Sequence, residues 1–546
     1  MTGERRTTEP SRLRLSAAGV AVVALAIGLL ELVAGLFGGI PSIIDAVGEM
    51  LIPFTPPALK DFAVETFGTT DKAVLQVGIA VVTLGVGAWA GTSARHSWDR
   101  AVTIFVTFTG VGGLAMLLQT STNVVASVVV LLVTAALGLR LLRWVTALTG
   151  VDHGGPARPQ PTAATAVERA DYGRPGGPEG VVSSSHPDAR PLSEVDRRRF
   201  LVAAGTMAAA GALAGAGGRQ LMQGAGVDLV DVTLSPALDP APPLTAANQL
   251  VVEGITPIIV PNDEFYKIDV ELGVPRISSR SWELRVRGMV DRELRISYDD
   301  LTARPMIERY VTIACVSNEV GDDLVGNAKW LGVPLADLLE EAGVQPGADQ
   351  LVGRADGGWT AGFPTELAFD GRDAMVAVGM NDEPLPLDHG FPARLIVPGL
   401  YGYVSATKWL REIELTTWDG FDAYWIPRGW AKEGPIKTQS RIDVPRAGRR
   451  VDAGLVDVAG VAWAPTRGID RVEVQLDDQG WIDATLSEPL SKDAWVQWSA
   501  QVDLDPGEHV LRVRATDGTG ATQTSELARP RPDGATGWHT IRITAG

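Results

Sequence analysis

Hydrophobic and polar positions along the chain change their period twice. Before residue 220 the apolar residues run in long stretches: "LSAAGVAVVALAIGLLELVAGLFGGI" from Leu15, "AVLQVGIAVVTLGVGAWA" from Ala73, "AVTIFVTFTGVGGLAMLLQ" from Ala101 and "VVASVVVLLVTAALGLRLL" from Val124. Each is close to or above the roughly 20 residues that a helix needs to cross a bilayer, which predicts a four-span region. From about 249 the pattern shortens and mixes. "SWELRVRG" alternates Trp282, Leu284 and Val286 against charged residues, a half-buried strand. "VPLADLLEEAGV" sets Pro334 at the start of a helix and Gly343 just past its end. "YVTIAC" puts Val311, Ile313 and Cys315 on one strand face, with Cys315 where the strand gives way to a polar loop. Beyond 437 the alternation has period two: Val472, Val474 and Leu476 precede Asp478 and Gly480, and Leu511, Val513 and Ala515 precede a DG turn. These are hairpin signals of a β-sandwich.

Charge orients the apolar stretches. Arg5, Arg6, Arg12 and Arg14 precede the first, Arg95 and Arg100 separate the second and third, and Arg140 and Arg143 close the fourth. Those ends belong on the cytoplasmic side. The loop from Pro41 to Lys72 carries Asp45, Glu49, Asp61, Glu65 and Asp71 and belongs outside. Glu31 inside the first span could handle protons, but it lies near the outer end, where it reads rather as an interfacial carboxylate. Residues 150–195 are rich in Gly, Pro, Ser and Ala without apolar period, a flexible cytoplasmic linker. In "DRRRFLVAAGTMAAAGALAGAGG" the row Arg197, Arg198, Arg199, Phe200, Leu201 resembles a twin-arginine export signal; an ordinary fifth span with positive-inside flanks is the other reading. Both put everything after 220 outside the cytoplasm. The expected layout is a four-span region at 1–149, the linker at 150–195, the signal-like fifth span at 196–220, a second linker at 221–248, a mixed α+β domain at 249–436 and a β-sandwich at 437–546.

A formal net charge of -17 removes nucleic acid from the partner classes, because phosphates would be repelled. With one cysteine in 546 residues, an intrachain disulfide and Cys-rich zinc or iron-sulfur sites are excluded. None of the six histidines lies in a predicted span and no "CxxCH" occurs, so neither a b-type nor a c-type haem is expected. Cys315 is then either a small buried hydrophobe or a functional thiol. A thiol hydrolase using Cys315 and His389 lacks an oxyanion or triad signature.

Longer motifs narrow the choice. "ACVSNEVGDDLVGNAKWLGVPLADLLEEAGV", "PLPLDHGFPARLIVPGLYGYVSATKWLREIEL" and "PNDEFYKIDVELGVP" resemble the molybdopterin domain of the sulfite oxidase family. "GVAWAPTRGIDRVEVQLDDQGWIDATL" and "AWVQWSAQVDLDPGEHVLRVRATD" resemble its immunoglobulin-like dimerisation domain. The resemblance implies a multi-domain chain in which Cys315 coordinates molybdenum, thiolate being the soft donor available. It implies that His389, Arg394, Ser405, Thr407 and Lys408 hold the pterin phosphate, and that Tyr266, Asp269, Asn318 and Thr360 contact cofactor or substrate. Gly399 and Gly402, flanking Tyr401, would let backbone approach the cofactor. The sequence also departs from the family. Where sulfite oxidases carry arginines suited to an oxyanion, Glu319 and Val320 follow the cysteine and Lys267 stands in the entry segment. Trp430 in "PRGWAKEGP" matches a tyrosine near the metal, leaving Cys315, Lys267 and Trp430 as the expected catalytic set. The implied protein is a membrane-anchored molybdenum-cofactor oxidoreductase. It would transfer oxygen on a small sulfur or nitrogen oxo-compound, with a separate redox partner and a homodimer contact through the C-terminal domain. A membrane-tethered immunoglobulin-like binding or sensor protein that has lost catalysis is the competing class.

Overall fold

The computed structural model describes residues 11–56, 59, 62–63, 66–67, 70–119, 122–149, 151, 194–224 and 232–546. Arg5, Arg6, Asp61, Glu65 and nearly all of the expected 150–195 linker lie outside the described residues; 194–195 open a helix. The chain divides into two units, Met1–Ala225 and Gly226–Gly546.

The first unit contains α1 (Arg12–Leu36), α2 (Ile43–Leu51), α3 (Asp71–Ser93), α4 (Trp98–Leu117), α5 (Val124–Ala147) and α6 (Glu194–Gly224). Among the described residues, five of these, all but α2, are long and apolar enough to cross a membrane. Helix α2 stands where only a loop was expected. Ser42 caps it by accepting from the Asp45 amide (3.2 Å), and Ala46 is buried with Ile43 and Val47 packed around it. Backbones meet where glycines remove the Cβ. A Cβ on Gly28 would lie 2.0 Å from the Gly211 carbonyl oxygen, and one on Gly19 only 1.8 Å from that of Gly87, so α1 lies in direct contact with α6 and α3. Glu31, expected as an interfacial carboxylate, is packed inside the helix bundle. It is 1% exposed, accepts from Ser42 Oγ (2.9 Å) and pairs with Arg219 Nε of α6 (3.2 Å). The same guanidinium reaches Asp45 (3.0 Å), which also accepts from Gln76 (2.8 Å). Its partners arrive from α6 and from α2 with its N-cap.

In the second unit the strands are β1 (Glu283–Gly288), β2 (Leu294–Ser297), β3 (Ile307–Ala314), β4 (Val325–Pro334), β5 (Gln350–Ala355), β6 (Thr360–Pro364), β7 (Met375–Met380), β8 (Glu383–Pro384), β9 (Arg394–Ile396) and β10 (Leu410–Thr416). They form one sheet in the order β2-β1-β10-β5-β6 and another in the order β3-β4-β7-β8, with β9 on β7. The first sheet is mixed, since β1 and β10 pair in parallel. Leu284 and Val286 of β1 are buried, as their alternation required. Helix α7 (Tyr298–Thr302) precedes β3. Helix α8 (Leu335–Ala342) starts after Pro334 and stops at Gly343, whose φ of 71° is the left-handed turn glycine accepts without strain. It buries Leu335, Leu338 and Leu339, each worth roughly 1.5–3 kcal/mol of transfer free energy. Helix α9 (Gly402–Ser405) follows β9.

The C-terminal strands are β11 (Gln439–Val444), β12 (Arg450–Val451), β13 (Gly454–Trp463), β14 (Ile469–Leu476), β15 (Ile482–Asp483), β16 (Thr485–Leu486), β17 (Val496–Leu504), β18 (Gly507–Asp517) and β19 (His539–Ala545). Two sheets, β11-β13-β17-β16 and β12-β19-β18-β14-β15, enclose a core of Val458, Val472, Trp498, Leu511, Val513 and Ile541. The expected hairpin is β14 to β15, with Val474 opposite Ile482 and Asp477 at φ 52° in the turn. Trp463, Leu490 and Trp495 do not join that core; they belong to the one beneath β3 and β4.

Candidate active site

Strand β3 delivers Cys315 to the floor of a cleft. The Cys315 amide donates to Leu324 O (2.9 Å), and the Asn318 amide returns to Cys315 O (3.1 Å). Asn318 Oδ1 then accepts from the Leu324 amide (2.8 Å), so the 316–324 loop is closed at both ends. The cleft holds about 800 Å³ of empty space, part of it open solvent. Of the sequence-derived candidates, Tyr266, Asp269, Cys315, Lys408 and Trp430 line it. Burial pushes the Cys315 thiol up, against hydrogen bonds from Ser317 that favour the thiolate. Burial likewise pushes the Tyr266 hydroxyl up, and the thiol beside it adds to the effect.

The wall is aromatic and poor in positive charge. Trp359, Tyr403, Trp409 and Trp425 complete it, residues the sequence reading did not single out. Trp430 packs against Trp425 (6.3 Å between rings) and Tyr403 (5.9 Å). The only signal for them was the tryptophan excess, 15 against 7 tyrosines. The charged residues lining the cleft are Asp269, Glu271 and Lys408, and no arginine is among them. Lys408 is already engaged by Asp269 (2.6 Å), by Asp388 O (3.0 Å) and by the Trp409 ring. Glu319 is exposed and does not line the cleft.

Apart from Gly402, the other candidates are not among the residues lining the cleft. Arg394, on β9, is 4% exposed. It donates to His389 O (3.1 Å), stacks on Trp330 (5.1 Å) and leaves its Nε buried without an acceptor. Burial brings its guanidinium down to about 10, and the Tyr266 hydroxyl nearby partly opposes this. Among the described residues no carboxylate forms an ion pair with it. Thr407 Oγ1 is likewise buried without a partner. Ser405 Oγ donates back to Tyr401 O (3.0 Å), and Thr360 Oγ1 accepts from the Tyr424 amide (3.0 Å), which fixes the chain next to Trp425. Lys267 pairs with Asp388 (2.5 Å) and is 42% exposed. Gly402 lines the cleft, whereas Gly399 serves a left-handed turn, where a Cβ would meet Thr466 at 2.7 Å.

His389 is buried and its Nε2 lies 2.7 Å from Asn262 O, so the neutral ring donates from Nε2. Burial holds its pKa down at about 4. Between pH 6.5 and about 4 the unfolded chain therefore binds a proton that the folded chain refuses. Stability present above pH 6.5 is expected to fall across that window and to change no further below it through this group. Thermal unfolding of His389→Gln measured against pH should lose this component; a pH profile identical to the parent's would refute it.

The family model for the oxidoreductase molybdopterin binding domain matches residues 271–425. Human mitochondrial sulfite oxidase is 28% identical over 305 residues, covering 47% of this chain and 55% of that protein. Sulfite oxidase of Arabidopsis thaliana is 26% identical over 355 residues, 54% of this chain and 90% of that one. An uncharacterized oxidoreductase, YuiH, of Bacillus subtilis is 36% identical over 153 residues, 28% of this chain and 74% of the relative. Among solved structures, the sulfane dehydrogenase SoxCD of Paracoccus pantotrophus matches with a TM-score of 0.47 and 26% identity over 54% of this chain and 82% of that one. The chain belongs to the sulfite oxidase family of molybdopterin-dependent oxidoreductases, whose cofactor is molybdenum-molybdopterin. It spans about half the length of the mammalian sulfite oxidases it matches.

The donors present suit that cofactor. A lone soft thiol lines the cleft, while among the described residues Arg394 has no anion and Thr407 Oγ1 no partner. A buried cation without a counter-ion is costly unless a ligand brings the opposite charge.

Proposed function

We propose that this chain is a membrane-anchored molybdenum-cofactor oxidoreductase acting on a small sulfur or nitrogen oxo-compound outside the cytoplasm. The observation that carries the reading is the placement of the only cysteine on the floor of an aromatic cleft. When bound, molybdenum in a pterin dithiolene supplies two-electron oxygen-atom transfer. Cys315 would supply the protein thiolate to the metal. Arg394, Thr407 and Lys408, with His389 and Ser405 behind them, would hold the phosphate and pterin end; Asn318 holds the thiolate loop, and Thr360 holds the tryptophan wall. Trp430 would press on the substrate, and Lys267, tied to Asp388, would set the charge at the cleft mouth. Tyr266 and Asp269 would orient the cofactor between them.

In this reading residues 1–149 with the signal-like 196–220 segment anchor the chain, 249–436 is the oxidoreductase domain, and 437–546 is an immunoglobulin-like domain able to form a homodimer. Two sheets around one core support the last assignment. Electrons pass through a separate redox partner.

The lining favours organic oxo-compounds over sulfite. No arginine faces the cleft and its one lysine is engaged, so each charged hydrogen bond withheld from an oxyanion costs about 1.5–3 kcal/mol. Purified protein should contain molybdenum and reduce S-oxides or N-oxides with an artificial dye faster than it oxidises sulfite with cytochrome c. Sulfite oxidation with a KM on the order of micromolar, the tight end for enzymes, would overturn the substrate reading. Protein that binds no molybdenum would overturn the enzyme reading.

A further inference from the structure

The loop carrying the thiol is closed from outside its own domain. Its tip is the turn 319–322, in which the Asp322 amide donates to Glu319 O (3.1 Å). Gly321 takes φ +94° there, and a Cβ on it would lie 2.3 Å from Cδ2 and 2.4 Å from Nε2 of His539, at the start of β19. That imidazole is fixed in turn, accepting at Nδ1 from the Ile442 amide (2.9 Å). One residue earlier on β11, Arg441 is 7% exposed and spreads its guanidinium over three partners. Nη1 donates to Asp322 O (2.8 Å), Nη2 to Thr256 Oγ1 (2.9 Å) and Nε to Asp443 Oδ1 (2.7 Å). A planar fork with three acceptors cannot slide without losing at least one of them.

The strand beneath is clamped from the same side. β3 is an edge strand, and residues 491–495 cover it. The Thr312 amide donates to Asp493 O (2.9 Å), the Trp495 amide to Thr312 Oγ1 (2.8 Å) and Ser491 Oγ to Tyr310 O (2.9 Å). Both ends of the Cys315 loop and the turn between them are therefore set against fixed partners.

We propose that Arg441 and His539, from the C-terminal sheets, are positioning residues for Cys315, holding the 319–322 turn so that the thiol faces the cleft. The C-terminal sheets then build the metal site as well as any dimer contact. The inference rests on Cys315 as the metal ligand. That reading would fail on a separate result, full turnover in Cys315→Ser.

Because the chain has a single cysteine, alkylation reads this one position. The test is the rate of iodoacetamide addition to the purified full chain without cofactor, followed by intact mass. Arg441→Met and His539→Phe should each raise the rate about tenfold, the change in local opening expected on losing one hydrogen bond to a charged or buried group. Val472→Ala, which loosens the C-terminal core without touching the loop, should leave the rate at the parent value. His539→Phe keeps a ring against Gly321 and so carries the test if Arg441→Met does not fold. In cofactor-loaded protein the same two variants should shift the molybdenum EPR spectrum while Val472→Ala does not. Unchanged alkylation in both folded variants, or an equal rise in Val472→Ala, would overturn the proposal.

Discussion

Replacing Cys315 by serine is expected to cut turnover by more than about a thousandfold, over 4 kcal/mol of transition-state stabilisation, while the chain stays folded. The substitution is nearly isosteric, and the loop around it is closed by Leu324 and Asn318 rather than by the sulfur. A hydroxyl is a harder donor than a thiolate and alters what the metal can accept and release. The pterin should remain, since Arg394, Thr407 and Lys408 are untouched. Circular-dichroism melts, pterin content and dye-linked turnover distinguish the outcomes. A folded Cys315→Ser protein with full turnover would remove the thiolate from the mechanism.

Arg394→Met should move stability and cofactor retention in opposite directions. In the cofactor-free chain, Arg394 is a buried cation with no ionic partner among the described residues, held by His389 O and the Trp330 face, with Nε unsatisfied. Exchanging it for an apolar side chain of similar length should stabilise that state, by about 1–4 kcal/mol if it behaves like other buried charged groups replaced in this way. The phosphate of the cofactor would lose its charge-assisted partner, and retention should fall at least about tenfold for one such hydrogen bond. Thermal unfolding of the cofactor-free chain and pterin released per chain provide the two measurements. Lower stability with cofactor retained would mean that Arg394 is a structural residue only.

Much of the frame was legible because its signals are local. The alternation at 282–286 required a strand, and the Pro334 to Gly343 spacing required the short helix that α8 forms. The end of β3 put Cys315 at a loop by the same reasoning. What the sequence could not disclose depends on which distant loops meet. Trp359 and Trp425 stand far apart in the chain, yet both line the cleft, because Thr360 ties β6 to the backbone at Tyr424. The Asn318 side-chain oxygen also serves the Leu324 amide, a loop-closing role that no residue-type argument discloses. Charge patterning placed Glu31 near an interface and could not anticipate that Arg219, 188 positions later, would bury it.

That pair changes how the last helix of the first unit should tolerate mutation. A disposable export address needs only to be recognised once, and any apolar residues of suitable bulk can serve. Helix α6 instead fits α1 through Gly28 on Gly211 and Gly35 on Gly218, and brings Arg219 to Glu31 and Asp45. Severing it would strand a buried carboxylate, and breaking such a pair costs about 3–5 kcal/mol. Gly211, Gly218 and Arg219 are therefore joinery, and substitutions there that leave hydropathy and the arginine row intact should still fail to assemble.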